Sequence, residues 1–535
     1  MKLSNQINKI VGKNWLNYHP YENPTSIDSY YVALCNNVLK IIQQSDIIDY
    51  IATMKEGKEL ACILVSYFED IISETHLFSS FTRQHKKMYG KVLPFYEIPD
   101  DYYDDEINLQ DIYFLIWYNI SFNDEEIVYD PYFDGNPSVN EAVLEIYNLF
   151  NSEFEKAPQN EDLQDFLQLS ADSDVMTIRE KLTFIAYNSF LWESYYHNFL
   201  GEIFDKYTEG NTLVMDEKIE MLIYDQQIHF IFNCCMPLLS MRANEYYAEV
   251  LGEEHPEYQF IKNIPKRIFG CFLLRKIEDN GFLIEHLTSK KQLFLSNEYT
   301  TLETFKLIEN ESVISLGLVQ WRDGVWRNQG GCLVNRIKDM EGDDISEHLF
   351  DDENKKKELI YNSEKAFMEI TKGERIVYFR EEHEYVDFHI KVLKEYARKL
   401  KPEMSDEKLD ESLKTFADNN IRLPFDEGKA FGLFYNSNSG MEIYNEDLII
   451  CMPDKNNPYY ENKKFDLCDL VTDNSLSTEF INYIIENKLI NLCVNDFDNP
   501  DMFAILMENL DFLLRFYRRS LYFSKLGVTT NNSNQ

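Results

Sequence analysis

The segment DPYFDGNPSVNE, Asp130 to Glu141, carries aspartates, a glycine and a final glutamate at positions 1, 5, 6 and 12 of a twelve-residue loop. That is part of the spacing with which oxygen donors wrap a calcium ion. Position 3 is Tyr132 where a donor is needed, and position 8 is Pro137 where an apolar strand residue belongs. A capping box explains more: Ser138, three residues before Glu141, would open the helix VNEAVLEIYNLF. His383, Glu384, Asp387 and His389 supply a second set of ligand types, but the two histidines are six apart and fall on different faces of a helix, unlike HExxH. The acidic run from Asp100 to Glu106 reads as carboxylates complementing a helix N-terminus. Arg515, Arg518 and Arg519 could hold an anion. As cations at the end of a helix they also offset its dipole, with Asp511 four residues before Arg515 to pair with it. No phosphate loop, G-x-S-x-G elbow or zinc spacing of Cys and His occurs, so no metal and no cofactor is implied.

The stretch VISLGLVQWRDGVWRNQGGCLV, Val313 to Val334, is the clearest binding candidate. Asp323-Gly324 reads as a two-residue type I′ turn. That register sets Trp321 opposite Trp326 on one sheet face, with Arg322 and Arg327 on the other. A Trp pair is usually core. Facing outward, Trp321, Arg322, Trp326 and Arg327 would form a patch of the residue types that dominate interfaces. Gly330 and Gly331 would then let another backbone or a ligand come close.

These residues need elements to hold them. With 44% hydrophobic composition, 535 residues are enough for a large core spread over several domains. The 92 acidic and 52 basic residues give a net charge of −40, which disfavours bare nucleic acid and anionic membrane. Nine cysteines without a CxxC pair fit a reducing cytoplasm. The N-terminus lacks the apolar core of a secretory signal, and the longest apolar runs are too short to span a bilayer.

The predicted fold class is α+β and multidomain: an all-helical N-terminal half, a small antiparallel β module in the middle and an α+β C-terminal domain. From Ser26 to Phe260 the apolar spacing is helical, as in Leu60, Leu64, Tyr67, Phe68, Ile71 and Ile72. A helical domain is placed at 1–262 and a barrel-like module of four to six short strands at 263–338. A charged linker follows at 339–362, an α+β domain at 363–526 and a disordered tail at 527–535. Within the α+β domain, ERIVYF, KAFGLFYN and EDLIICMP read as strands, and Phe503 to Tyr517 as one closing helix.

HKKMYGKVLPFYEIPDDYYDDEINLQDIYFLIWY at 85–118, NNPYYENKKF at 456–465 and NLDFLLRFYRR at 509–519 resemble an uncharacterised bacterial family of large proteins, a domain of unknown function. The resemblance implies a bacterial, non-secreted protein and brings no activity, cofactor or catalytic residue with it.

Three roles stay open. The first is a cytoplasmic multidomain interaction or scaffold protein with a protein partner. The second is a hydrolase with dispersed Asp, Glu and His residues between the helical and C-terminal halves. The third is an acidic decoy of a nucleic-acid-binding partner. A concave cluster of perturbed carboxylates would favour the enzyme.

Overall fold

Thr53 opens a helix in which its hydroxyl accepts from the Glu56 amide at 3.3 Å and donates to the Glu56 carboxylate at 2.9 Å, and that carboxylate also accepts from the Ala52 amide at 2.9 Å. In the computed structural model that helix spans Met54–Ile72, and its apolar stripe is buried, as its three- and four-residue spacing requires. The structure describes residues 9–100, 102–208, 217–287, 289–298, 312–336, 353–400, 405–420, 428–495, 497 and 501–519. The chain divides into two compact units, Met1–Phe350 and Asp351–Gln535. Helices lie mainly in the N-terminal half and strands in the middle and C-terminal parts, a mixed α+β fold.

The first unit begins with α1 (Gly12–Leu16), α2 (Asp28–Gln43), α3 (Met54–Ile72), α4 (Leu77–Tyr89), α5 (Leu109–Asn123), α6 (Pro137–Glu153), α7 (Glu161–Leu167) and α8 (Val175–Tyr187). It continues through α9 (Glu193–Thr208), α10 (Glu217–Asn233), α11 (Ala243–Leu251) and α12 (Tyr258–Lys262). The apolar run Ile112–Tyr118 makes α5 buried on nearly all sides, with Trp117 at its centre bonding the Tyr129 carbonyl at 2.9 Å. The cap of α6 differs from the sequence reading. Asn136, not Ser138, is the N-cap, because Pro137 has a φ fixed for the first helical position; the Asn136 side chain accepts from the Ser138 amide at 2.9 Å. Asp130 accepts from the amides of Tyr132 and Asp134 at 2.7 and 3.1 Å, so it braces the turn before that helix.

The same unit ends in a closed barrel of β1 (Ile268–Glu278), β2 (Gly281–His286), β3 (Gln292–Ser296), β4 (Ser312–Gln320) and β5 (Trp326–Arg336), ordered β1-β2-β3-β5-β4. All neighbours are antiparallel except β3 and β5, which meet in parallel at Leu295 and Trp326. This is a five-stranded Greek-key barrel, and closure removes its edges. Phe272, Phe282, Ile284, Leu295, Ile314, Leu316 and Leu318 fill it. The architecture alone assigns no ligand.

The second unit holds α13 (Glu353–Thr371), β6 (Ile376–Phe379), α14 (Glu382–Leu400), α15 (Asp406–Asn420), β7 (Phe431–Asn436) and β8 (Gly440–Tyr444). After α16 (Glu446–Ile449) come β9 (Phe465–Asp466), α17 (Leu467–Thr472), α18 (Thr478–Glu486), β10 (Leu492–Cys493), α19 (Met502–Glu508) and α20 (Leu510–Tyr517). Strand β7 is central in a sheet ordered β6-β7-β8. Its side chains are buried on both faces, Phe431, Leu433 and Tyr435 with Phe367 and Phe379, and Phe434 against Phe480 at 5.1 Å. That explains its unbroken apolar run.

Three sequence expectations change here. EDLIICMP is not a strand: Asn445 accepts from the Leu448 amide and starts α16, while GMEIY pairs with β7 instead. The closing stripe is two helices, since Asn509 breaks the run between α19 and α20. Helix α13 starts at Glu353, inside the expected linker, because Ala366 and Phe367 carry its buried face. Residues 337–352 and the tail 527–535 lie outside the described residues.

Candidate functional site

Four polar residues of α3, Lys55, Lys58, Glu59 and Cys62, recur at three- and four-residue steps and therefore share one face at the start of the helix. Glu193 and His197, four apart in the first turns of α9, face them. Asn14 from α1, with Asn17 and Tyr18 just beyond it, closes the third side of an open cleft of about 100 Å³.

Buried side chains hold these walls. Trp15 stacks on Tyr31 and donates its indole N–H to Asp28 at 2.9 Å. Next to Tyr18, His19 is buried between the Trp15 carbonyl at 3.0 Å and the Glu69 carboxylate at 2.8 Å. Burial works against the His19 cation, but the Glu69 charge and hydrogen bond win and raise its pKa. The other Glu69 oxygen accepts from Asn160 at 2.9 Å, so the carboxylate is satisfied on both sides. At the α9 wall Trp192, fully buried beside Glu193, fixes the start of the helix.

Glu193 is 4% exposed, and its carboxylate lies 3.2 Å from Nδ1 of His197, whose own side chain is 47% exposed. Burial pushes the Glu193 carboxyl up to about 7; His197 pulls it down and Glu59 pushes it further up. Tyr18 shares the same space, and burial followed by the Glu193 charge keeps its phenol protonated. Glu59 is paired with Lys55 at 3.0 Å. The cleft thus combines a carboxyl able to hold or release a proton near neutrality, an imidazole open to solvent and a buried phenol.

Sequence reading missed this set. It followed the apolar stripe of α3, whereas the polar stripe beginning at Lys55 is the one that lines the cleft. The signal was present as the steps 55, 58, 59 and 62 and as the i,i+4 pair Glu193 and His197, but nothing in one sequence brings the two helices together.

The hairpin candidates sit elsewhere, in a different register from the one expected. Trp321 N–H donates to the Val325 carbonyl and Gly324 N–H to the Trp321 carbonyl, both at 2.9 Å, and only Gly324 of the turn has positive φ, at 77°. This is a three-residue loop with a glycine bulge, not a type I′ turn. One extra loop residue pairs Trp326 with Gln320 and Arg327 with Val319, which separates the two indoles. Trp326 packs on the barrel core, whereas Trp321 is 8% exposed and meets Phe260 edge-on at 4.9 Å. Arg322 lies over the Phe260 ring at 4.0 Å and bonds Glu257 at 2.9 Å. Arg327 bonds Asp323 and Glu298, each at 2.9 Å. The close approach that Gly330 and Gly331 permit is made by α10: a Cβ there would lie 2.6 Å from Asp225 and 2.8 Å from Met221.

The metal-like sets do not assemble: among the described residues no group of three or more His, Cys, Asp or Glu could hold a metal ion. His389 is buried in α14, and burial lowers it to about 4. Arg515 pairs with Asp511 at 2.9 Å, while Arg518 is fully buried and donates to the Leu470 and Val471 carbonyls, closing α17 rather than its own helix. Among the described residues no helix is long and apolar enough to cross a membrane.

No curated protein and no solved structure matches the chain. Residues 9–270, which include the whole cleft, match the model of a family described as a protein of unknown function (DUF3843), in keeping with the family type that the sequence resembles.

Proposed function

We propose that the helical half carries the site of an acid–base enzyme of the hydrolase class, acting on a small polar substrate in the cleft. One observation carries this reading: Glu193, held near a pKa of about 7, lines an open cleft with His197 against it. A carboxyl poised there can give a proton to a leaving group, and the neighbouring imidazole can take one from water. The sequence expectation is a dispersed Asp, Glu and His site between the helical and C-terminal halves, whereas the Glu193–His197 pair proposed for this role lies on one helix of the first unit. A bacterial cytoplasm is part of the proposal; nine cysteines without a CxxC pair fit a reducing compartment. The interaction role has less to rest on, since Trp321 and Arg322 are engaged with Phe260 and Glu257.

The test is turnover of a cell metabolite extract by the full chain, read by mass spectrometry. Wild-type protein should deplete at least one small polar compound, and Glu193→Gln should lower that rate by about 100-fold or more, the usual size of a general acid–base contribution. Identical profiles for the two proteins would overturn the reading.

A further inference from the structure

We propose that the cleft takes a small amino-acid zwitterion, its ammonium group seated against Glu193 and its carboxylate at the lysine rim. This rests on the cleft being the functional site. The lining residues are graded by exposure. Glu193, Tyr18 and Cys62 are buried, the Glu59 side chain is 18% exposed, and the Lys55 side chain is 78% exposed. Lys58, three residues along α3 from Lys55, is half-buried. Negative and phenolic oxygen therefore lies deep and positive charge lies shallow.

A lone anion entering this cleft meets Glu59 and Glu193, and a lone cation must pass the lysines. A molecule that carries both charges and enters amine first is matched at each end. Size sets a further limit: about 100 Å³ is smaller than the roughly 150 Å³ of an apolar cavity that takes one benzene, which favours short chains. Seating an ammonium beside Glu193 replaces the hydration that the carboxyl lost on burial, so its anion becomes the favoured form. The Glu193 proton then leaves to solvent as the ammonium–carboxylate pair forms. No covalent bond changes, and at most one proton is released for each zwitterion bound.

Isothermal titration of the full chain at pH 7, in two buffers of different ionisation enthalpy, tests this. Glycine, β-alanine and γ-aminobutyrate serve as zwitterions, with acetate and ethylammonium as single-charge probes. At least one zwitterion should bind about tenfold tighter than either single-charge probe, with heat that depends on the buffer through proton release. Glu193→Gln, close to isosteric, should abolish the buffer dependence, and Lys58→Gln should weaken the zwitterion without weakening ethylammonium. Acetate binding as tightly as the zwitterions, no zwitterion binding at millimolar concentration, or buffer-independent heats in the wild type would each overturn the proposal. The two readings fail separately. A depleted metabolite without both charges would sink the zwitterion and leave the acid–base site, whereas zwitterion binding with Glu193-independent turnover would do the reverse.

Discussion

Asp111 is 1% exposed and accepts from the hydroxyls of Tyr67 at 2.7 Å and Tyr102 at 3.0 Å and from the Asn108 side chain at 3.1 Å. Burial outweighs these donors and pushes its carboxyl up to about 7. The consequence for stability has a definite sign. Below about pH 4, near the carboxyl's unfolded value, both states hold the proton and the group costs nothing. Between there and about 7 the unfolded chain releases a proton that the folded one keeps, so stability falls as pH rises, and above 7 the penalty is constant. Asp111→Asn should therefore gain on wild type steadily between pH 4.5 and 7 and then level off, as read from urea midpoints. A difference that is flat across that range would refute the assignment. His19 acts in the same direction. Its raised pKa stabilises the fold at pH below the unfolded histidine value, and that contribution is lost as pH rises through the folded value.

At the scale of elements, the barrel is fastened to the helices by Arg267. Its side chain pairs with Asp225 of α10 and donates to the Gln329 carbonyl at 2.6 Å, and its guanidinium lies directly against Gly317 of β4. A Cβ at Gly317 would sit 1.8 Å from that guanidinium. Gly317→Ala should cost about 3 to 5 kcal/mol, because displacing Arg267 breaks its buried pair with Asp225. In an Arg267→Ala background the same substitution should cost far less, and that non-additivity in a double-mutant cycle is the decisive reading. In the neighbouring strand, Trp326→Ala should lose about 3 kcal/mol by opening the barrel core. Arg327→Ala should lose no more than about 1 kcal/mol, since its partners Asp323 and Glu298 are half exposed. Denaturant melts of the two variants check this, and equal losses would contradict the barrel assignment.

These cases also mark how far the sequence reads. Asp279-Asn280 between two apolar runs located the β1–β2 turn, and the apolar stripe of α3 located its buried face, because both signals are local. Gly324 pointed to a turn but not to its length, and one residue of loop moved every later side chain of β5 to the opposite face. The cleft was not legible at all. Its carboxyl and its lysines stand more than 130 residues apart, and their meeting is decided by how Trp15, His19 and Trp192 are buried.

At the scale of the whole chain, the two units have separate cores, the barrel and helical cores in one and the cluster around Phe367 and Tyr435 in the other. Scanning calorimetry of the full chain should resolve two transitions. Phe367→Ala, which empties a fully buried site in the second unit, should lower one of them and leave the other in place. A single cooperative transition displaced as a whole would show the units to be coupled.

The fastening of the barrel also sets a timetable for synthesis. The barrel closes only when β5 pairs with β4, so the first unit cannot be completed until Arg336 has been made. The 199 residues from 337 to 535 then take on the order of 10 to 40 s to add at typical elongation rates. The ribosome thus gives the helices and barrel that interval to lock around Arg267 before the second unit is released as a competing source of exposed apolar surface.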